Sequence, residues 1–231
     1  MIWLGIETAN APLSIALVQD GKVIAEVVQH IKITHSAGAM PAIEELCAKA
    51  SIKPAEIDAI AVSEGPGAYT GVRIGVTLAK TLAWTLQKPL VGVSSLRVLA
   101  VNGRLFNGCV CPLFDARRQH VYAAIYRGQT ALLEDGHYAI ADVLAQVKQC
   151  GEQTLFIGED VALYKEQIAE MLGEQAVFAP FTLNLPRASE LVSLAMNQAL
   201  PSIKATHTFV PQYRRIAEAE ANWLQIQKES K

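Results

Sequence analysis

Short apolar runs separated by polar breaks organise the chain from its first residues. Residues 2–7, 13–18 and 23–28 each have the length and character of a strand. The second and third are joined by Gln19-Asp20-Gly21-Lys22, and Asp-Gly between two apolar runs predicts a hairpin. Over residues 36–50 the period changes. Met40, Ile43, Cys47 and Ala50 recur at steps of three and four, which predicts a helix that Pro41 should begin or kink. A strand over 59–63, a helix over 70–86 and a strand over 90–93 follow.

The second half repeats this order. Residues 110–114 read as a strand, 121–126 as its hairpin partner, and 130–133 as a third strand after the turn Arg127-Gly128-Gln129. A helix over 141–148, a strand over 155–157 and a helix over 163–172 come next. Each half opens with a strand ending in an acid, Glu7 and Asp115, at a similar distance before the hairpin glycines Gly21 and Gly128. Three strands, helix, strand, helix, occurring twice, is an internal duplication of element order, although the letter-by-letter identity is poor. A meander feeding crossover helices makes a mixed sheet covered by helices, so the fold class is α/β, with a cleft between two such units. Residues 188–231 read as a helix, a short extended piece near 207–210 and a C-terminal helix. The expected division is 1–103, 104–210, and a C-terminal helix over 211–231 folding back on the first unit.

Composition narrows the classes. The chain has 231 residues, 51% hydrophobic and 18% charged, with a net charge of −2. A chain this long buries roughly 70% of its unfolded surface and needs no disulfide or metal to hold a core. The balanced charge argues against disorder and against sequence-independent nucleic-acid binding. The most apolar stretch, 72–86, is interrupted by Arg73 and Lys80, so no membrane span is expected. The first residues lack a basic region and meet Glu7 early, unlike a secretory signal. Cys47, Cys109, Cys111 and Cys150 do not have redox or zinc spacing and read as small buried hydrophobes in a reducing cytoplasm.

The most distinctive segment is Ser63-Glu64-Gly65-Pro66-Gly67-Ala68-Tyr69-Thr70-Gly71, a strand running through a glycine-rich turn into a helix. Such a turn either holds an anion on helix N–H groups or is simply tight; it fits neither a P-loop nor a dinucleotide fingerprint. Down the following helix, Gly71, Gly75, Ala79 and Ala83 fall every four residues. A small-residue row lets another helix approach closely, and the helix is apolar nearly all round. That reading favours a protein–protein interface over an internal sandwich. His30, His35, His120, His137 and His207 include no pair at helical metal-site spacing. Asp115-Ala116-Arg117-Arg118 ends a strand in a turn without glycine, which reads as a weakened phosphate loop.

The duplicated order resembles the superfold of actin, sugar kinases and heat-shock ATPases, in which the first hairpin of each half grips nucleotide phosphates. Further residues sharpen this. Thr34-His35-Ser36, the run from Glu64 to Gly75, Gly92-Val93-Ser94-Ser95-Leu96, Asp115-Ala116-Arg117-Arg118 and Pro211-x-Tyr213-x-Arg215 resemble the TsaB/YeaZ family along nearly the whole chain. Ala68-Tyr69 stands where that family often has Ser-Phe, and Arg214-Arg215 where it often has Leu-Arg. The resemblance implies a duplicated actin/hexokinase-like (ASKHA) core and a non-catalytic subunit in the synthesis of N6-threonylcarbamoyladenosine at tRNA position 37. It implies pairing with a catalytic paralogue, TsaD, an ATPase third subunit, TsaE, and a homodimer when the chain is alone. tRNA is reached only indirectly, and no membrane is involved.

Residue by residue, the resemblance makes Glu7, Thr8, Asp115, Arg117 and Arg118 degenerate phosphate loops. It puts His35, Met40, Ile43 and Cys47 of one helix, and Gly71, Arg73, Gly75, Ala79 and Ala83 of the next, in a helical-bundle interface. Ser95 and Leu99 occupy the positions of the paralogue's two metal-binding histidines, so neither metal centre nor cofactor is expected here, beyond a nucleotide at the partner interface. The alternatives are a small-molecule kinase of the same superfold and a homodimeric scaffold.

Overall fold

The computed structural model describes residues 1–30 and 34–214. The first sheet consists of β1 (Ile2–Glu7), β2 (Leu13–Gln19), β3 (Lys22–Gln29), β4 (Ala59–Gly65) and β5 (Leu90–Ser94), in the order β3-β2-β1-β4-β5. The second consists of β6 (Cys109–Asp115), β7 (His120–Arg127), β8 (Thr130–Ala139), β9 (Thr154–Ile157) and β10 (Ala176–Phe178), in the order β10-β9-β6-β7-β8. Read from opposite ends, the two orders are the same. In each, the first three strands pair antiparallel and the last two join parallel to the first.

Local chemistry explains the first hairpin. Asp20 and Gly21 both take positive φ, +51° and +76°, and Gln19 pairs with Lys22. This is the two-residue turn whose twist matches that of the flanking strands.

Among the described residues, six α-helices complete the duplication: α1 (His35–Ala50), α2 (Tyr69–Leu86), α3 (Ser95–Ala100), α4 (Ile140–Cys150), α5 (Val161–Leu172) and α6 (Ala188–Ala195). Pro41 lies inside α1 and does not begin it. Helices α1 and α2 cover one face of the first sheet, burying Ile43, Leu46, Val72 and Val76 against Leu4, Ile6, Ile15 and Ile60. Helices α4 and α5 cover the second sheet in the same way.

The remaining two helices are exchanged. Leu96, Leu99 and Ala100 of α3 pack on Val110, Phe114, Ala124 and Ile157 of the second sheet, while Val98 of the same helix packs on the first. Ala188, Leu191, Val192 and Ala195 of α6 pack on Trp3, Ala16, Ala61 and Val91 of the first. A Cβ on Gly5 would lie 2.6 Å from the Ala188 carbonyl oxygen, so glycine is what lets α6 sit so close. The boundary at 103/104 therefore separates the sheets but not the cores.

Three further differences from the sequence reading have local causes. Strand β8 runs on to Ala139, through two register shifts that break the apolar alternation. The short elements α3 and β10 offer too few residues for a periodicity to be read. The extended piece near 207–210 follows a 3-10 turn over Ile203–His207 and joins neither sheet. Of the C-terminal helix placed at 211–231, all but the first four positions lie outside the described residues.

Candidate functional site

A cleft of about 930 Å³ opens between the two halves. Its walls are Asn10 and Ala11 from the turn after β1, residues 66–70 at the start of α2, residues 114–117 at the end of β6, Asp160 before α5, and residues 212–214. The topology thus brings the turn between β1 and β2, the glycine-rich turn and Asp115-Ala116-Arg117 to one place.

The two strand-end acids are held within the protein. Glu7 is fully buried; its Oε1 accepts the Ala9 N–H at 2.8 Å and its Oε2 accepts the Ser63 hydroxyl. Burial pushes its carboxyl up to about 7, and these two hydrogen bonds offset only part of that. Thr8 is buried beside it and donates to the Gly71 carbonyl at 2.9 Å. Asp115 lines the cleft, yet its Oδ1 accepts both the Tyr164 hydroxyl at 2.6 Å and the Arg117 N–H at 3.0 Å. The Asp115 N–H in turn donates to Asp160 at 2.8 Å. Burial, and then this bond to Asp115, raises the Tyr164 phenol well above its ordinary range. A carboxylate that supports a metal must offer free lone pairs to the cleft. Glu7 does not, and Asp115 has one oxygen already doubly engaged.

The turn after Asp115 takes a left-handed path without glycine. Arg117, Arg118 and Gln119 take φ of +66°, +53° and +60° in succession. Such a path costs an L-residue about 1–2 kcal/mol each. Bonds from Ala116 N–H to His120 O at 2.9 Å, from His120 N–H to Arg117 O at 3.0 Å and from Ile140 N–H to Gln119 O at 3.0 Å hold it. Arg117 reaches the cleft lining, and Arg118 is exposed.

The partner-interface residues divide. Gly71, Gly75, Ala79 and Ala83 are all buried, but by this chain's own first sheet. A Cβ on Gly71 would lie 2.3 Å from the Thr8 carbonyl oxygen, and one on Gly75 would lie 2.2 Å from Thr8 Oγ1. The small-residue row thus seats α2 against Thr8 and this chain's own first sheet. Spacing reports that something approaches closely, without saying which neighbour does. Ile43 and Cys47 are likewise core residues of α1. His35 is half-buried and donates from Nε2 to the Asn10 carbonyl at 2.7 Å. Met40 and Arg73 face outward; the Arg73 guanidinium bonds the Tyr69 hydroxyl at 2.6 Å.

An arm over residues 203–214, whose role no sequence pattern revealed, runs back along α2. Lys80 Nζ donates to the carbonyls of His207 at 3.2 Å and Phe209 at 2.7 Å, and the rings of Trp84 and His207 lie 4.0 Å apart. Gln212 N–H donates to Glu64 O at 2.7 Å, and Tyr213 stacks on Tyr69 at 5.1 Å. The arm thereby places 212–214 in the cleft wall. Asn10 and Asp160 are also cleft residues that the sequence reading did not single out, because each comes from a different loop.

Among the described residues, no three His, Cys, Asp or Glu side chains cluster as a metal site would need. β7 and β8 bring His120 and His137 into a parallel stack at 4.9 Å. Ser95 and Leu99 are fully buried, Leu99 within the α3 core. Among the described residues, the four cysteines are free, and no helix is long and apolar enough to cross a membrane.

Comparisons with known proteins follow the same lines. A family model for TsaD, tRNA N6-adenosine threonylcarbamoyltransferase, matches residues 22–223. The tRNA threonylcarbamoyladenosine biosynthesis protein TsaB of Bacillus subtilis is 44% identical over 232 residues, covering 99% of this chain and 100% of that one. A tRNA N6-adenosine threonylcarbamoyltransferase of Thermomicrobium roseum is 33% identical over 112 residues, 42% of this chain and 31% of its own. The solved structure of YeaZ from Pseudomonas aeruginosa superposes with a TM-score of 0.71 at 26% identity, covering 92% of this chain and 99% of that one.

Proposed function

The chain belongs to the TsaB family of tRNA threonylcarbamoyladenosine biosynthesis proteins, and from that membership we propose that it is the non-catalytic subunit of a threonylcarbamoyl-transferring complex. The full-length match to the Bacillus subtilis protein carries the reading. The chain pairs with a TsaD-like paralogue, which moves the threonylcarbamoyl group from its adenylate to the tRNA adenine, and a TsaE-like ATPase joins the pair. The engagement of Glu7 and Asp115 within the protein supports the subunit role over a kinase-like one.

The pairing surface, on this reading, is the outward side of α1 and α2. Met40, Tyr69, Arg73 and Trp84 are exposed there, while the small-residue row is occupied from within. A nucleotide, where one takes part, is held at the joint with the partner, and tRNA is contacted through it. The isolated chain closes the same surface on a second copy.

Co-purification with a TsaD-like protein, followed by reconstitution of tRNA modification with TsaE and threonylcarbamoyl-adenylate, tests the proposal. Modification should fall to background when this chain is omitted. Undiminished modification without it would overturn the reading.

A further inference from the structure

One carboxylate receives hydroxyl groups from both halves. Strand β8 carries one more residue than β7 between the pairs Ala123–Gly136 and Ile125–Leu133, and Asp135 lies in that bulge. A bulge re-aims the side chain it displaces. Here Asp135 accepts a hydrogen bond from the Tyr126 hydroxyl of its own sheet and another from the Ser94 hydroxyl at the end of β5, in the other half. Ser94 Oγ also accepts the Arg97 N–H at 3.2 Å, which caps α3, the helix that crosses to the second core. The Arg97 guanidinium lies 4.5 Å from the centre of the Tyr126 ring. The contact between His30 and Glu159, also between the two halves, is exposed on both sides and contributes little.

We infer that Asp135 is a clasp: through Ser94 it holds the two halves at a set angle and so fixes the width of the cleft between them. Two hydroxyls from opposite halves converge on a single side chain that a bulge delivers to the seam. Helix α3 packs on both sheets, Val98 on the first and Leu96 and Leu99 on the second, and the Ser94 hydroxyl that caps it is the group that Asp135 holds. The inference concerns how the halves are held and stands apart from the subunit reading. Asp135 is a positioning residue in this scheme.

Ser94→Ala and Tyr126→Phe separate the clasp from ordinary packing. Each removes one hydroxyl from Asp135, but only the first breaks the link between halves. A dye pair at exposed Lys53 and Glu166, introduced as unnatural amino acids, reports the distance between halves. Hydrogen exchange at residues 116–119 and 212–214 reports the cleft walls. A hydrogen bond to a carboxylate is worth roughly a tenfold change in an opening equilibrium, or more. Ser94→Ala should broaden the distance distribution and speed cleft-wall exchange about tenfold, with the centres of both sheets still protected. Tyr126→Phe should leave the distribution as in the parent chain. Equal behaviour of the two variants, with or without broadening, would overturn the clasp. If Ser94→Ala fails to fold, Asp135→Asn takes its place and must broaden the distribution relative to Tyr126→Phe, or the clasp is refuted.

Discussion

Gly75 of α2 lies against Thr8 at the end of β1 so closely that a Cβ on the glycine would stand 2.2 Å from the threonine Oγ1. Thr8 in turn bonds the carbonyl of Gly71 one helical turn earlier. The two contacts join the start of α2 to the strand whose end opens the cleft.

Substitution at Gly75 is therefore a folding experiment. Gly75→Ala gains up to about 1 kcal/mol of helix propensity but forces the Thr8 side chain to move, and overpacking of this kind costs about 1–3 kcal/mol. The expected net result is a lower denaturation midpoint, with Gly75→Leu unfolded or nearly so. Thr8→Ala added to Gly75→Ala should recover at least about 0.5 kcal/mol of the loss in a double-mutant cycle. A Gly75→Ala protein as stable as the parent would contradict the contact.

Glu7 makes stability fall as pH rises. Its folded pKa, about 7, lies above the ordinary value of 4.5. Between these values the folded state holds more proton than the unfolded one, so stability declines as pH increases. The decline begins near the unfolded value and is complete above the folded one, and amounts to roughly 3 kcal/mol. Glu64, raised chiefly by burial, adds in the same direction. Urea unfolding between about pH 5 and about pH 8 should show the parent losing stability and Glu7→Gln losing much less. Parallel curves for the two proteins would remove Glu7 as the cause.

The strained turn yields a stabilising substitution. Gln119 holds φ of +60° with its side chain exposed. Glycine at that position relieves the left-handed cost of about 1–2 kcal/mol and gives back up to about 1 kcal/mol in unfolded-chain entropy. Gln119→Gly should raise stability by about 0.5 kcal/mol, whereas Gln119→Val should lower it. Thermal midpoints of the two variants in the reverse order would show that the turn is not strained.

How far the sequence reaches is clear from particular elements. The period of apolar positions placed β1, β2 and α2 to within a residue or two, because each is long enough to show its repeat. Asp20-Gly21 announced its turn through backbone chemistry alone. The small-residue row was equally legible as a close contact, but periodicity is a property of one element and says nothing about its neighbour. The cleft was visible only as an expectation between two units. Its walls come from residues as distant as Asn10, Asp160 and Tyr213, and only the folded chain joins them. The exchange of α3 and α6 had no local signal either, since both are short apolar helices that would suit either sheet.

The arm along α2 gives the last prediction, because one side chain holds two of its carbonyls. Lys80 Nζ donates to His207 O and Phe209 O, and the following residues run on to Gln212 and Tyr213 in the cleft wall. Lys80→Met keeps most of the aliphatic stem and removes both donors. A charged donor on a carbonyl contributes about 1.5–3 kcal/mol when buried, and partial exposure reduces this to about 1 kcal/mol. Loosening at Phe209 should spread to Gln212, whose N–H bond to Glu64 O at 2.7 Å lies only three residues on. Hydrogen exchange of the Gln212 amide should therefore quicken about fivefold in Lys80→Met, while amides of β1 keep their protection. Trp84 should also change its emission, since its ring lies against His207. Unchanged exchange at Gln212 alongside altered Trp84 emission would mean that the two ends of the arm are anchored independently.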